Sequence, residues 1–168
     1  MIEPLELDGR HWRFAVDLYG KDGVSQACLA LQDRFGVDVI VLMISLFGAV
    51  ALGKAPGKED IERMDAAIGP WRRSVVHPLR GVRRHLKTAG MGEAAERLRE
   101  IIKSSELRSE QIELATLAPL IDQFSGRAPE NRGETLDLIA LISQFYAQEE
   151  WDRNTSDLIA ASIAEAIK

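Results

Sequence analysis

Fourteen consecutive residues, Val39-Ile-Val-Leu-Met-Ile-Ser-Leu-Phe-Gly-Ala-Val-Ala-Leu52, carry no charge and a single hydroxyl. A segment this apolar has to be enclosed, and its length restricts how. It falls short of the roughly 20 residues a helix needs to cross a bilayer. Its β-branched start, Val39-Ile40-Val41, also suits a buried strand. No second segment of similar character exists to pair with it, however, and a lone strand leaves its backbone N–H and C=O groups unpaired. The segment reads as a central helix, apolar all round because it is buried all round. Asp38 caps it and Gly53 ends it.

The rest of the chain supplies helices to enclose this one. Trp12, Ala15, Leu18 and Tyr19 share a face of a helix over about His11–Tyr19, broken by Lys21-Asp22-Gly23. Val24–Phe35 follows with Val24, Ala27, Cys28, Leu31 and Phe35 at helical spacing, stopped by Gly36 in a left-handed conformation. After the loop Ala55-Pro56-Gly57 comes a short helix, Lys58–Ile68. Gly69-Pro70 then punctuates, with Pro70 at the first position of the next helix. Gly90-Met91-Gly92 is another break. A charged helix runs from Glu93 to about Phe124, interrupted near Ser104-Ser105 and bent at Pro119. Beyond the polar loop 125–133, helices are expected over Glu134–Glu150 and Ser156–Ile167. The expectation is one all-α domain, residues 1–168, of seven or eight helices around a buried apolar one.

Composition narrows the function. With 46% hydrophobic and 28% charged residues, the chain is neither disordered nor low-complexity. One cysteine excludes a disulfide framework and a cysteine-rich zinc site, and three separated histidines, His11, His77 and His85, offer no metal cluster. No cofactor is expected. The N-terminus, Met-Ile-Glu-Pro-Leu-Glu-Leu-Asp, is acidic and has no apolar run of the secretory kind. The expected location is the cytoplasm, and the glycosylation-like triplet Asn154-Thr155-Ser156 carries no meaning there.

Charge is unevenly spread. The formal net charge is −5, divided as −4 over residues 1–69, +6 over 70–87 and −7 over 88–168. The acidic total disfavours nucleic acid. The segment 70–87 holds six Lys or Arg and no acid. At 100° per residue, Arg73, His77, Arg80, Arg84 and Lys87 share an arc of roughly 80°, opposite Trp71, Val75, Leu79, Val82 and Leu86. Pro78, lacking an N–H, should kink this helix. Such an arc suits phosphate or carboxylate recognition. Equally, it can pair with acids elsewhere in the chain.

Other motifs carry less. Gly48 to Lys54 matches G-x-x-x-x-G-K, but Ala55 stands where a phosphate loop has Ser or Thr, and Pro56-Gly57 prevents a helix from starting there. Asp33 and Asp38 bracket a turn and are a conceivable acid–base pair. The plainer roles are a helix cap and a salt bridge. Cys28 lies on an apolar stripe as a core thiol. Trp12, Phe145, Tyr146 and Trp151 read as core or core-edge aromatics.

Two stretches together resemble a family of bacterial proteins known only as a domain of unknown function. The first is Trp12-Arg-Phe-Ala-Val-Asp-Leu-Tyr19, with Gly23-Val-Ser-Gln-Ala-Cys-Leu-Ala-Leu-Gln-Asp33 and Gly36-Val-Asp-Val39. The second is Trp71-Arg-Arg-Ser-Val-Val-His-Pro-Leu-Arg80, with Arg83-Arg84-His-Leu-Lys87. The resemblance implies that Gln32-Asp33, Asp38 and the arginine cluster belong to a family pattern, and it implies no activity. The chain departs from that pattern at Ile40, where an Asn is usual, and at Phe47-Gly48, where a Trp is usual.

The leading expectation is a non-enzymatic binder of an anionic small molecule or acidic protein surface through Arg73, His77, Arg80, Arg83, Arg84 and Lys87. The alternative is an enzyme or lipid-handling protein whose cleft joins Asp33 and Asp38 to His77 and the arginines. A third reading is a homodimer built on the long helix from Glu93, against which stands the simpler course of that helix folding back on the core.

Overall fold

The structure, a computed structural model, describes residues 4–167, so the first three residues of the acidic N-terminus and Lys168 lie outside it. It is an all-α bundle built around α3 (Val39–Leu52), whose residues Val41 to Ala49 are buried without a break. The strand alternative is thereby excluded. At the start of α3, Asp38 Oδ1 accepts the N–H groups of Ile40 (2.8 Å) and Val41 (3.0 Å), satisfying two of the free amides of the first turn.

Around this axis lie α1 (Arg10–Tyr19), α2 (Val24–Phe35), α4 (Lys58–Trp71) and α6 (Gly92–Leu117). The hairpin of α7 (Arg132–Ala147) and α8 (Arg153–Ala166) packs over α2. The core joins Leu31, Leu42, Ile44, Leu46, Ile61 and Met64 with Leu114, Leu117, Ile139 and Ile142, all essentially inaccessible. Each such side chain contributes roughly 1.5–3 kcal/mol on burial. None of the described helices is long and apolar enough to cross a membrane.

Several sequence expectations need correction. Gly69-Pro70 does not end a helix: α4 continues through Pro70 to Trp71, passes into a π-turn at Arg72–Val76, and resumes as α5 (His77–Thr88). Residues 58–88 thus form one rod with a wide turn in it. The His77 N–H bonds five residues back, to Arg72 O, and the Ser74 hydroxyl donates to Pro70 O (2.8 Å). The π-turn absorbs the residue whose backbone bond Pro78 cannot make, in place of a sharp kink. Likewise α6 is unbroken at Ser104-Ser105, because those hydroxyls bond to Glu100 O and Ile101 O within the helix. It ends at Leu117, and Ala118–Gln123, with Pro119, is a 3₁₀ segment. Asp152 caps α8 three residues earlier than expected.

A short bridge went unforeseen. Residues β1 (Lys54–Ala55) pair antiparallel with β2 (Gly126–Arg127). This closes the region after α3, where Gly53 adopts φ +70°. The Lys54 Nζ is held by Asp122 at 3.1 Å, so the G-x-x-x-x-G-K match is a helix end tied down by an ion pair. Gly48 is there for space: a Cβ would lie 2.9 Å from Lys54 O, 3.0 Å from Phe124 Cε2 and 3.1 Å from Ile121 Cγ2. Gly48→Ala should therefore destabilise the fold by about 1–3 kcal/mol despite the better helix propensity of Ala. Thermal unfolding should register a fall on the order of 3–10 °C. An unchanged or raised Tm would show that the close approach carries no energetic weight.

Candidate functional site

The basic segment and the acidic face of α6 meet along a charged seam. Glu106, Glu110 and Glu113 recur at i, i+4 and i+7, so they share one side of α6. Arg80 reaches two of them, with Nε 2.9 Å from Glu106 Oε1 and Nη2 2.6 Å from Glu110 Oε1. Arg83 Nε pairs with the other oxygen of Glu106. Burial disfavours the charge on Glu106, yet the two guanidinium groups hold its carboxyl below the usual carboxylate range. Arg80 and Arg83 are thus committed internally.

The seam continues into the core through Arg72. The π-turn carries its side chain inward, where Nε lies 2.5 Å from Asp38 Oδ2 and Nη1 2.8 Å from Asp65 Oδ1. The Tyr146 hydroxyl donates to the same Asp65 oxygen at 2.9 Å. Burial opposes the charge on Arg72, but Asp38 and Asp65 outweigh it and raise its pKa. Glu113 is the least exposed carboxyl of the seam, 2%, with Oε1 unpartnered, and Arg72 Nη2 is also buried without a hydrogen bond among the described residues. Burial first, and the negative charge of Asp38 second, push the Glu113 pKa up to about 8. Glu110 is raised too, chiefly by burial. His77 is lowered by partial burial and by Arg80 and Arg72, and raised in smaller part by Asp38.

The sequence-derived candidates therefore divide. Arg80, Arg83 and Asp38 belong to the internal seam. Arg73, His77, Arg84 and Lys87 are exposed and, among the described residues, form no ion pair. Asp33 takes no part: it is exposed near the end of α2, without a hydrogen bond or ion pair among the described residues. Both oxygens of Asp38 are engaged, one by the amides of α3 and one by Arg72. The Asp33–Asp38 pair is accordingly not assembled with His77. Reasoning from sequence missed Arg72, Asp65, Glu106, Glu110, Glu113 and Tyr146. The i, i+4, i+7 glutamates were the available signal, since they complement a basic helix of similar length.

Cys28 is fully buried, and burial pushes its thiol up to about 12, which makes it an inert core residue. Among the described residues, no group of three or more His, Cys, Asp or Glu is placed to hold a metal ion.

A family model described as "Protein of unknown function (DUF2390)" matches residues 10–117, more than half of the chain. The matched region contains α1 to α6 and so every member of the seam except Tyr146. No curated protein and no solved structure matches.

The Glu113 environment has a definite pH signature. Its folded-state pKa, about 8, lies above the ordinary 4.5, so the folded protein binds the extra proton between those values. Its contribution is fully present below about pH 4.5 and is lost as pH rises to about 8, each pKa unit corresponding to about 1.4 kcal/mol. His77 and His11, both lowered, act in the opposite sense, losing stability as pH falls through the ordinary histidine range. Comparing Glu113→Gln with the parent chain isolates the carboxyl from Asp38, Arg72, Arg80 and Glu110 around it. The variant should match the parent near pH 5 and exceed it in Tm by several degrees at pH 8.5. Parallel Tm–pH curves for the two proteins would refute a protonated Glu113.

Proposed function

We propose that this chain, which belongs to the family described as protein of unknown function (DUF2390), binds an acidic protein surface through the outward cations of α5. The supporting observation is the division of the basic segment: Arg80 and Arg83 are neutralised by Glu106 and Glu110, while Arg73, Arg84 and Lys87 are exposed and, among the described residues, have no ion-pair partner in a chain of net charge −5. Exposed ion pairs are worth at most about 1 kcal/mol. Leaving these cations unpaired beside an acid-rich helix does nothing for stability, whereas it keeps a positive strip available to a partner.

The spacing favours a surface over a small anion. A bound phosphate needs donors converging within about 3 Å of its oxygens. His77 to Lys87 spans about 15 Å along α5 at about 1.5 Å per residue, and Arg73, inside the π-turn, stands out of phase with them. Separate charges on one helical ridge suit separate carboxylates on an opposing helix or strand. His77 lies within the same strip and adds a charge only below its lowered pKa, so binding strengthens in mild acid.

A fluorescein-labelled oligoglutamate peptide serves as the probe, with pyrophosphate as competitor. In low salt, Arg84→Ala/Lys87→Ala should weaken peptide binding on the order of tenfold, about 1.4 kcal/mol, with Tm unchanged. Arg80→Ala should instead destabilise the fold by about 3 kcal/mol by leaving Glu106 and Glu110 half-neutralised. Equal peptide binding by the parent and the double variant would overturn the proposal, as would a parent chain that prefers pyrophosphate to the peptide.

A further inference from the structure

The helices α5 and α6 form an arm with little core beneath it. None of the residues of α5 is buried, and none of α6 before Glu106 is buried. Over this stretch the two helices pack chiefly on each other, anchored at the base by the Trp71 indole donating to Ser109 O at 3.1 Å. The two sides of the arm differ. His77 and Arg84 lie on one side. On the other, about 140–160° around α5 by helical spacing, Leu79 faces an open groove of about 480 Å³ between the helices.

That groove is apolar and poor in charge. Trp71, Val75 and Leu79 form one wall; Ile101 and Ile112 form the other, over the small residues Ser104, Ser105 and Ser109. Its one charged lining residue is Arg108, whose Nη1 is tied to Gln111 Oε1 at 2.9 Å. Beside it stand exposed Val82 and Leu98, and Ile101 itself is 62% exposed. In a chain otherwise rich in surface charge, this is an apolar strip that none of the described residues covers.

We infer that a second copy of the chain covers this strip, the two arms packing antiparallel about a two-fold axis into a four-helix bundle. The argument is self-complementarity, the property a two-fold interface requires. Along α6, Ala94, Leu98, Ile101, Ser105, Arg108 and Ile112 follow one another at three- and four-residue steps on the groove side. Set antiparallel with its axis near residue 103, the row pairs large with small. Ile101 meets Ser105 of the second copy, Ile112 meets Ala94, and Leu98 lies along the aliphatic stem of Arg108. A protruding residue and a small one that can receive it, one turn apart on the same face, satisfy both halves of the interface at once. Charge agrees, because the cationic ridge points away and Arg108 stands apart from its own symmetry mate in this register.

The size sets the strength. The arm is about 20 Å long and about two helix diameters, ~20 Å, across. That footprint, about 400 Å², is about half of the roughly 800 Å² per partner of a standard interface, so the dimer belongs with the weak, concentration-dependent ones. The groove side is distinct from the ridge of His77, Arg84 and Lys87 on α5, so the dimer stands independently of the acidic partner.

The test is the mass of the full chain by light scattering across micromolar to millimolar concentration, with two charge insertions compared. The parent should move toward twice its 18.6 kDa. Ile101→Glu should hold it at the monomer with unchanged circular dichroism, since that side chain is already exposed. Leu158→Glu, at a 79% exposed position of α8, should leave dimerisation intact. A parent that stays monomeric at millimolar concentration overturns the inference, and so does an Ile101→Glu protein that dimerises like the parent.

Discussion

One carboxylate sets the starting conditions for the rest of the molecule. Asp38 gives one oxygen to the first amides of the central helix and the other to Arg72. The first contact fixes where the most apolar segment begins its helix, and hence which of its residues face which neighbour. The second ties that starting point to the long rod of α4, the π-turn and α5. Through Arg72 the link extends to Asp65, and from Asp65 to the Tyr146 hydroxyl on α7. A buried guanidinium is costly unless paired, so this chain of contacts is close to all-or-none. Apolar burial supplies the bulk of the stability, and the Asp38–Arg72 pair joins the start of α3 to the π-turn.

The charges near that pair do not balance. Asp38, Asp65, Glu106, Glu110 and Glu113 face only Arg72, Arg80 and Arg83, with His77 at the margin. In a poorly solvated seam the surplus is relieved by protons. The group that takes one is Glu113, the least exposed of these five and, among the described residues, without a cation in direct contact. Glu106 stays ionised under comparable cover because two arginines reach it. Two glutamates seven residues apart on one helix are thus driven in opposite directions, Glu113 up chiefly by burial and Glu106 down by the two arginines that outweigh its burial.

Much of the fold was legible because it follows from patterns that survive without tertiary context. The apolar run 39–52, the Asp38 cap and the glycine stops at Gly36 and Gly53 all appear where helical periodicity and capping place them. The errors gather at prolines and at the site. Pro70 and Pro78 were read as a start and a kink, whereas a π-turn between them keeps the rod continuous. A π-turn adds about one residue of phase, roughly 100°. This is why Arg72, outside the cationic arc on uniform 100° spacing, becomes the inward-facing arginine. The pairing of the α6 glutamates with Arg80 and Arg83 was not legible because the partners lie more than 20 residues apart, and pairing at that distance leaves no local periodic trace.

The same accounting separates the two sides of the arm. Had the six cations of residues 70–87 served only to hold α6, Glu106 and Glu110 would set their number, and two arginines meet that need. Conversely, had the apolar residues of the arm served only the α5–α6 contact, Ile101, Leu98 and Val82 would be covered, and they are not. Each face therefore carries more than folding requires: positive charge on one side, aliphatic surface on the other. An arm that buries nothing of α5 in the core, yet maintains two different surfaces on a pair-locked rod, is the observation on which both proposals rest. The proposed partner on the basic ridge and the proposed second copy on the groove do not compete for one face, because the helix between them is the one the Arg80 and Arg83 ion pairs hold fixed.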